Sequence, residues 1–242
     1  MKVSLLIKAI ATDIDGTLTE TRNSYRIDPK IAELIRSLEH LGVSVIIVSS
    51  NALPVAVGVA RYLGIEGPII GESGCLMFYD LKIKVLTKFS ANQARKLVAK
   101  EFGQYLAEKW HNAYRYYDFA FQIKKECNLG TLLKEIENLL RRNGITYVKV
   151  GYSGYSIHLT PSDVDKGKAL IYACRSLGID PKEVVAIGDS SMDIPMLKTA
   201  GFGVATADAD EDLKNIADFV TSNPSGKGFI ELVRRVIRGD FP

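Results

Sequence analysis

Hydrophobic and polar positions change texture twice along this chain. Leu5 to Thr12 and the stretch VSVIIVSS, 43–50, are near-continuous apolar runs. Such runs predict strands buried on both faces of a parallel sheet. Between them, RIDPKIAELIRSLEHLG places Ile31, Leu34, Ile35, Leu38 and Leu41 on one helical stripe. Its punctuation agrees: Asp28 can cap the start, Pro29 suits the first turn, and Gly42 follows the end. A second helix is predicted from about Pro54 to Leu63, closed by Gly64, with another strand after it. The first 70 residues thus read strand, helix, strand, helix, strand, the order of an open α/β sheet.

From about Leu76 the pattern differs. CLMFYDLKIKVLTKF reads as a hairpin and Ser90 to Lys109 as a helix. DFAFQIKK alternates as a half-buried strand does, and Asn128 to Asn143 is an amphipathic helix. ITYVKV and YSIHLT are two strands around a Gly-Ser turn. Strands with one exposed face indicate an antiparallel α+β insert. After Pro161 the first rhythm returns. DKGKALIYACRSLG is a helix capped by Asp165, VVAIGDS a short buried strand, MDIPMLKTA a helix start and GFGVA a strand. A last helix runs from about Lys227 to Arg238. The expected organisation is an α/β core over 1–75 and 160–242, a Rossmann-like parallel sheet, with an inserted α+β domain over 76–159.

Composition narrows the function classes. The 242 residues are 47% hydrophobic and 24% charged, as in globular proteins. A net charge of +3 with scattered cations gives no footprint for nucleic acid. No apolar run approaches the roughly 20 residues of a membrane span. Cys75, Cys127 and Cys174 have neither metal nor redox spacing, and Cys75 carries no nucleophile signal. A soluble protein of a reducing cytoplasm is expected, monomeric or homodimeric.

Candidate chemistry sits at the strand ends. Asp13 and Asp15 close the first strand, Ser49, Ser50 and Asn51 the second, and Asp189, Ser190 and Asp193 the strand VVAIG. Open α/β sheets bind ligands at these carboxyl ends. Crowded carboxylates repel one another unless a cation joins them, and an all-oxygen set favours a hard ion such as Mg²⁺. Lys166 adds a positive charge at a helix start, where anions bind well. Together these groups describe a phosphoryl-transfer site.

DIDGT, VSSN, DKGKAL and GDSSMDIPML, in that order, resemble the four motifs of the haloacid dehalogenase-like (HAD) phosphatase superfamily. The insert lies where the Cof-like branch carries a C2-type cap, and GESGCLMFY resembles the segment leading into it. The short cap and modest length are most similar to the archaeal phosphoglycolate phosphatase group. The resemblance implies Asp13 as nucleophile and Asp15 as acid/base, its backbone carbonyl facing the metal. It implies Ser49, with Ser50 beside it, as the phosphoryl-holding segment and Lys166 as the motif-three lysine. Asp13, Asp15, Asp189 and Asp193 become the metal set. The implied activity is a Mg²⁺-dependent phosphomonoesterase acting through an aspartyl-phosphate on a small phosphorylated metabolite, 2-phosphoglycolate first. A sugar phosphatase or phosphomutase of the same superfamily is the alternative. A non-catalytic phosphate-binding protein is another, although it would be expected to have lost Asp13, Asp15 or Lys166. Met192 stands where the family often has Asn, so an auxiliary hydrogen bond is either missing or supplied by Ser190 or Ser191.

Each residue alone has a plainer reading. DxDG is a common turn, Ser49 a strand-end hydroxyl bonding its own backbone, Lys166 a solvated lysine and Asp193 a favourable charge near a helix start. His158 reads as structural, and Trp110 and the tyrosines near it as packing. His111 and Arg115 read as solvated surface, with a place facing the cleft as the alternative. Among the insert's cations Arg115, Lys124 and Lys125, Arg115 is the first candidate for reading an acidic leaving group.

Overall fold

The computed structural model describes residues 7–240, so Leu5 and Leu6 of the expected first strand lie outside the described residues. In chain order come β1 (Ala9–Thr12), α1 (Pro29–His40), β2 (Ser44–Val48), α2 (Leu53–Leu63) and β3 (Ile69–Gly71). Then follow β4 (Leu76–Tyr79), β5 (Lys82–Val85), α3 (Asn92–Glu101), β6 (Leu106–Glu108) and β7 (Phe119–Ile123). Next are α4 (Leu129–Arg142), β8 (Val148–Tyr152), β9 (Ile157–Pro161), α5 (Lys166–Leu177) and β10 (Val184–Gly188). The chain closes with α6 (Ile194–Thr199), β11 (Phe202–Ala205), α7 (Glu211–Lys214), β12 (Phe219–Val220) and α8 (Ser225–Arg238).

Eight strands form one sheet, ordered β12-β11-β10-β1-β2-β3-β4-β5. From β12 to β3 the pairing is parallel. Ile10, Val45, Ile47, Val185 and Ile187 pack on one face beneath α1, α2 and α8. Ala9, Ala11, Ile46, Val48, Val184 and Ala186 pack on the other beneath α5 and α6. Burial on both faces is why these strands carry apolar residues at consecutive positions. Local signals end the helices as expected. Asp28 accepts from Lys30 N–H and Asp165 from Lys168 N–H, each at 2.8 Å. Gly64 and Gly178 take the left-handed conformation that closes α2 and α5.

Three elements depart from the pattern read along the chain. The hairpin β4–β5 pairs antiparallel with β3 and extends the large sheet, so it is not part of the second one. Asp80 and Leu81 at its turn both have positive φ, the geometry a two-residue hairpin loop prefers. The helix predicted over Ser90 to Lys109 stops at Glu101 and gives way to β6. Gly103 marks the change: a Cβ there would lie 2.7 Å from the Ala99 carbonyl oxygen. The final helix begins at Ser225, ahead of Lys227.

A second sheet, β6-β7-β9-β8, is antiparallel. Helices α3 and α4 cover one face, where Val98, Leu132, Ile136 and Leu140 meet Phe119, Phe121, Ile157 and Leu159. Its other face and the carboxyl edge of the large sheet enclose a cavity of about 630 Å³.

Candidate active site

Parallel register assembles the site. Thr12 of β1 aligns with Ile47 of β2 and Ile187 of β10. The first residue past each strand end, Asp13, Ser49 and Asp189, therefore arrives at one edge. That edge is the topological switch point, because β2 and β10 flank β1 from opposite halves of the chain. Asp13 Oδ1 accepts the Ile14 N–H at 2.8 Å, and Oδ2 lies 2.8 Å from Lys166 Nζ. Lys166 opens α5, is 2% exposed, and also donates to Asp193 Oδ1 at 2.6 Å. Asp193 Oδ2 accepts from the N–H groups of Asp189 and Ser190 and from the Ser190 hydroxyl, at 3.0–3.2 Å. Both oxygens of Asp193 are thus engaged. Ser190 is the one of the two candidate serines beside Met192 whose hydroxyl bonds Asp193.

Asp189 differs. Its Oδ1 accepts from Thr17 Oγ1 at 3.1 Å. Its Oδ2 is buried and has Arg22 Nε 2.8 Å away as a charge partner, without hydrogen-bond alignment. Gly16 makes this approach possible: φ is +79° there, and a Cβ would fall 2.3 Å from Asp189 Oδ2. Asp15 Oδ2 accepts from Asn51 Nδ2 at 2.6 Å, and the Asn51 N–H donates to Ser49 Oγ at 3.0 Å. The Ser50 hydroxyl is buried with no partner among the described residues.

A model of the family described as haloacid dehalogenase-like hydrolase matches residues 10–126 and 119–232. The chain belongs to the haloacid dehalogenase-like hydrolase family. This hydrolase is 42% identical over 238 residues to a phosphoglycolate phosphatase of Staphylothermus marinus, covering 96% of this chain and 98% of that one. It is 37% identical to phosphoglycolate phosphatase 1 of Saccharolobus solfataricus, with 98% of each chain covered. Among solved structures it is similar to Thermoplasma acidophilum 0175, with a TM-score of 0.80 and 28% identity. That match covers 95% of this chain and 98% of the other.

The hydrolase holds its acids under strong mutual repulsion. Burial lifts Asp13 to about 7, with Asp193 and Asp15 adding to the rise and Lys166 opposing it. Burial, Asp193 and Asp13 likewise push Asp189 well above the usual carboxylate range, against Arg22 and Lys166. Burial works against the Lys166 charge, yet Asp13 and Asp193 outweigh it and raise its pKa. Asp13, Asp189 and Asp193 are all buried and offer oxygens within 4.8 Å of one another. An all-oxygen cluster in which Asp13 and Asp189 have raised pKa values, and one Asp189 oxygen accepts no hydrogen bond among the described residues, fits a hard divalent cation, which removes the repulsion.

Asp13, Asp15, Ser49 and Ser50 line the cavity, with Lys166 and Asp193 behind Asp13. Arg115 is not a solvated cation in the hydrolase. It is 6% exposed, pairs with Asp118, and donates from Nη2 to the Ser50 carbonyl at 2.7 Å. Lys124 donates to the Gly103 carbonyl, and neither it nor Lys125 lines the cavity. Arg22 and Tyr155, which sequence reasoning did not single out, and His158, which it read as structural, do line it. Arg22 and Tyr155 lie in loops with no local signal. The Tyr155 hydroxyl is buried without a partner among the described residues. His158 had a signal, since it alternates with Ile157 and Leu159 and so points away from their core.

Proposed function

We propose that this hydrolase is a Mg²⁺-dependent phosphomonoesterase that cleaves 2-phosphoglycolate through an aspartyl-phosphate, with the four-stranded unit as its cap. One observation carries the reading: Asp13 is fixed between a backbone N–H and a buried lysine, in a carboxylate cluster at the floor of a cleft. The similar phosphoglycolate phosphatases support the choice of substrate. Asp13 attacks phosphorus, the bond to the leaving oxygen breaks, and Asp15 gives that oxygen its proton. Asn51 holds Asp15 for this task. Water then surrenders a proton to Asp15, attacks the acyl phosphate, and frees phosphate and Asp13. Ser49 and Ser50 hold the phosphoryl oxygens, and Lys166 favours the ionised form of Asp13 against the burial that raises its pKa. Asp13, Asp189 and the Asp15 carbonyl would hold Mg²⁺, which neutralises phosphoryl charge so that one anion can approach another. Asp193 serves by anchoring Lys166 and the Asp189–Ser190 backbone. Buried free thiols at Cys75 and Cys174 suit a reducing cytoplasm.

The test is phosphate release from a panel of phosphorylated metabolites, with Mg²⁺ and with a chelator. Phosphoglycolate should give the highest kcat/KM, chelator should stop turnover, and Asp13→Asn should abolish it while the protein stays folded. An Asp13→Asn activity within about tenfold of wild type, a change of only ~1.4 kcal/mol in barrier, sinks the nucleophile assignment.

A further inference from the structure

Chemistry on the phosphoryl group uses the floor of the cleft and leaves its roof unexplained. Strand periodicity sorts the roof. Phe119, Phe121, Ile157 and Leu159 enter the cap core, so Ala120, Gln122, Ser156 and His158 face the other way, and all four line the cleft. His158 Nδ1 lies 3.0 Å from Asp118 Oδ1. Asp118 is fully buried, and burial alone would raise its pKa. His158 and Arg115, with hydrogen bonds from His158 and Thr160, outweigh burial and bring it to about 2. An ionised carboxylate only accepts, so His158 donates through Nδ1 and leaves Nε2 for the cleft.

His111 approaches from the segment 110–114. Its Nδ1 is 3.0 Å from Arg115 Nε, and a guanidinium only donates. Nδ1 therefore accepts, and the proton of the neutral ring sits on Nε2. Burial and then the Arg115 charge hold the His111 pKa near 4, which keeps this form at neutral pH. Trp110 braces the ring edge-on, with centroids 5.6 Å apart. One buried ion pair, Arg115–Asp118, thus sets the orientation of both imidazoles. Among the described residues no Asp or Glu of the cap lines the cleft, whereas Lys109, His111, Arg115 and His158 do. The roof is built for an anion.

We propose that His111 and His158 form the subsite that binds the carboxylate of the leaving group, with Arg115 and Asp118 as positioning residues; this rests on the phosphoester reading above. The Nε2–H of His111 meets one side of the carboxylate, and His158, donating from both ring nitrogens as an imidazolium, bridges it to Asp118.

The test compares phosphoglycolate with ethyl phosphate, which has no carboxylate. His111→Ala and His158→Ala should each lower the ratio of kcat/KM for phosphoglycolate over ethyl phosphate by about tenfold or more, mainly through KM. Asp118→Asn, by releasing both rings, should lower it as well. In the Asp13→Asn protein, which cannot turn over, His111→Ala should raise the Kd for phosphoglycolate by about tenfold and leave that for ethyl phosphate within about twofold. His111 is half-buried, so its variant stands if His158→Ala fails to fold. A ratio unchanged within about twofold in the His111 variant overturns the subsite, as does a ratio that collapses only in Lys109→Ala. If wild type releases phosphate from neither ester while the Kd shift holds, the catalytic reading falls and the subsite stands. If turnover is normal and neither ratio nor Kd moves, the subsite falls and the phosphatase reading stands.

Discussion

Glu72 is the sharpest place to test how the four-stranded unit is fastened to the large sheet. It follows β3, is fully buried, and has positive φ. Its Oε2 accepts the backbone N–H groups of Tyr116, Tyr117 and Asp118 at 3.1, 2.8 and 3.1 Å, and Oε1 faces Tyr116 N again at 3.2 Å. Among the described residues no lysine or arginine pairs with it; burial raises its pKa and the N–H donors partly offset that. Glu72→Ala strips three backbone donors of their acceptor. The Asp118 N–H is buried and loses its partner outright, at about 2 kcal/mol, while the part-buried Tyr116 and Tyr117 can turn to water at about 0.5 kcal/mol each. The expected loss is about 3 kcal/mol, or very roughly 6–12 °C in melting temperature for a chain of this size. Glu72→Gln separates shape from charge. Its carbonyl can occupy the Oε2 position and keep three donors, while its NH₂ meets Tyr116 N donor to donor. About 1 kcal/mol should be lost. Urea denaturation of the three proteins at pH 7 measures both values. An Ala variant costing less than about 1 kcal/mol, or no more than the Gln variant, refutes the accounting.

Asp189→Ala should raise the Mg²⁺ concentration for half-maximal activity about tenfold more than Asp193→Ala does, because Asp193 has no oxygen to spare. The reverse order in a Mg²⁺ titration would reassign the two acids. Tyr155→Phe removes a buried hydroxyl that has no partner among the described residues, so stability should hold or rise by up to about 1 kcal/mol. The KM for the phosphoester should rise several-fold; an unchanged KM means the hydroxyl does not meet the ligand. Asp118 titrates near 2 when folded, below its ordinary 3.8, so its contribution to stability is complete above pH 4 and disappears as pH falls towards 2. That contribution is about 2 kcal/mol. Urea midpoints at pH 5 and pH 2.5 should fall more steeply for wild type than for Asp118→Asn, and equal slopes would show that Asp118 is not held ionised.

What the sequence determined by itself was everything whose cause lies within a few residues. Two-sided apolar runs mark β1, β2 and β10 because both faces are covered, and Asp28, Asp165, Gly64 and Gly178 close helices through bonds to near neighbours. Asp13, Asp15, Ser49, Lys166 and Asp189 were legible for a related reason: each sits at the end of a strand or the start of a helix that the pattern already located. Tertiary structure alone decided the rest. KIKV in β5 reads equally well as an edge of either sheet, and only its antiparallel partner β4 assigns it to the large one. Glu72 and the backbone of Tyr116 to Asp118 are more than 40 residues apart, and no spacing along the chain announces that a carboxylate will serve distant N–H groups. Arg115 had the look of a free surface cation. It is buried because Asp118, His111 and the Ser50 carbonyl converge on it from separate segments, and a cation surrounded by acceptors no longer needs water.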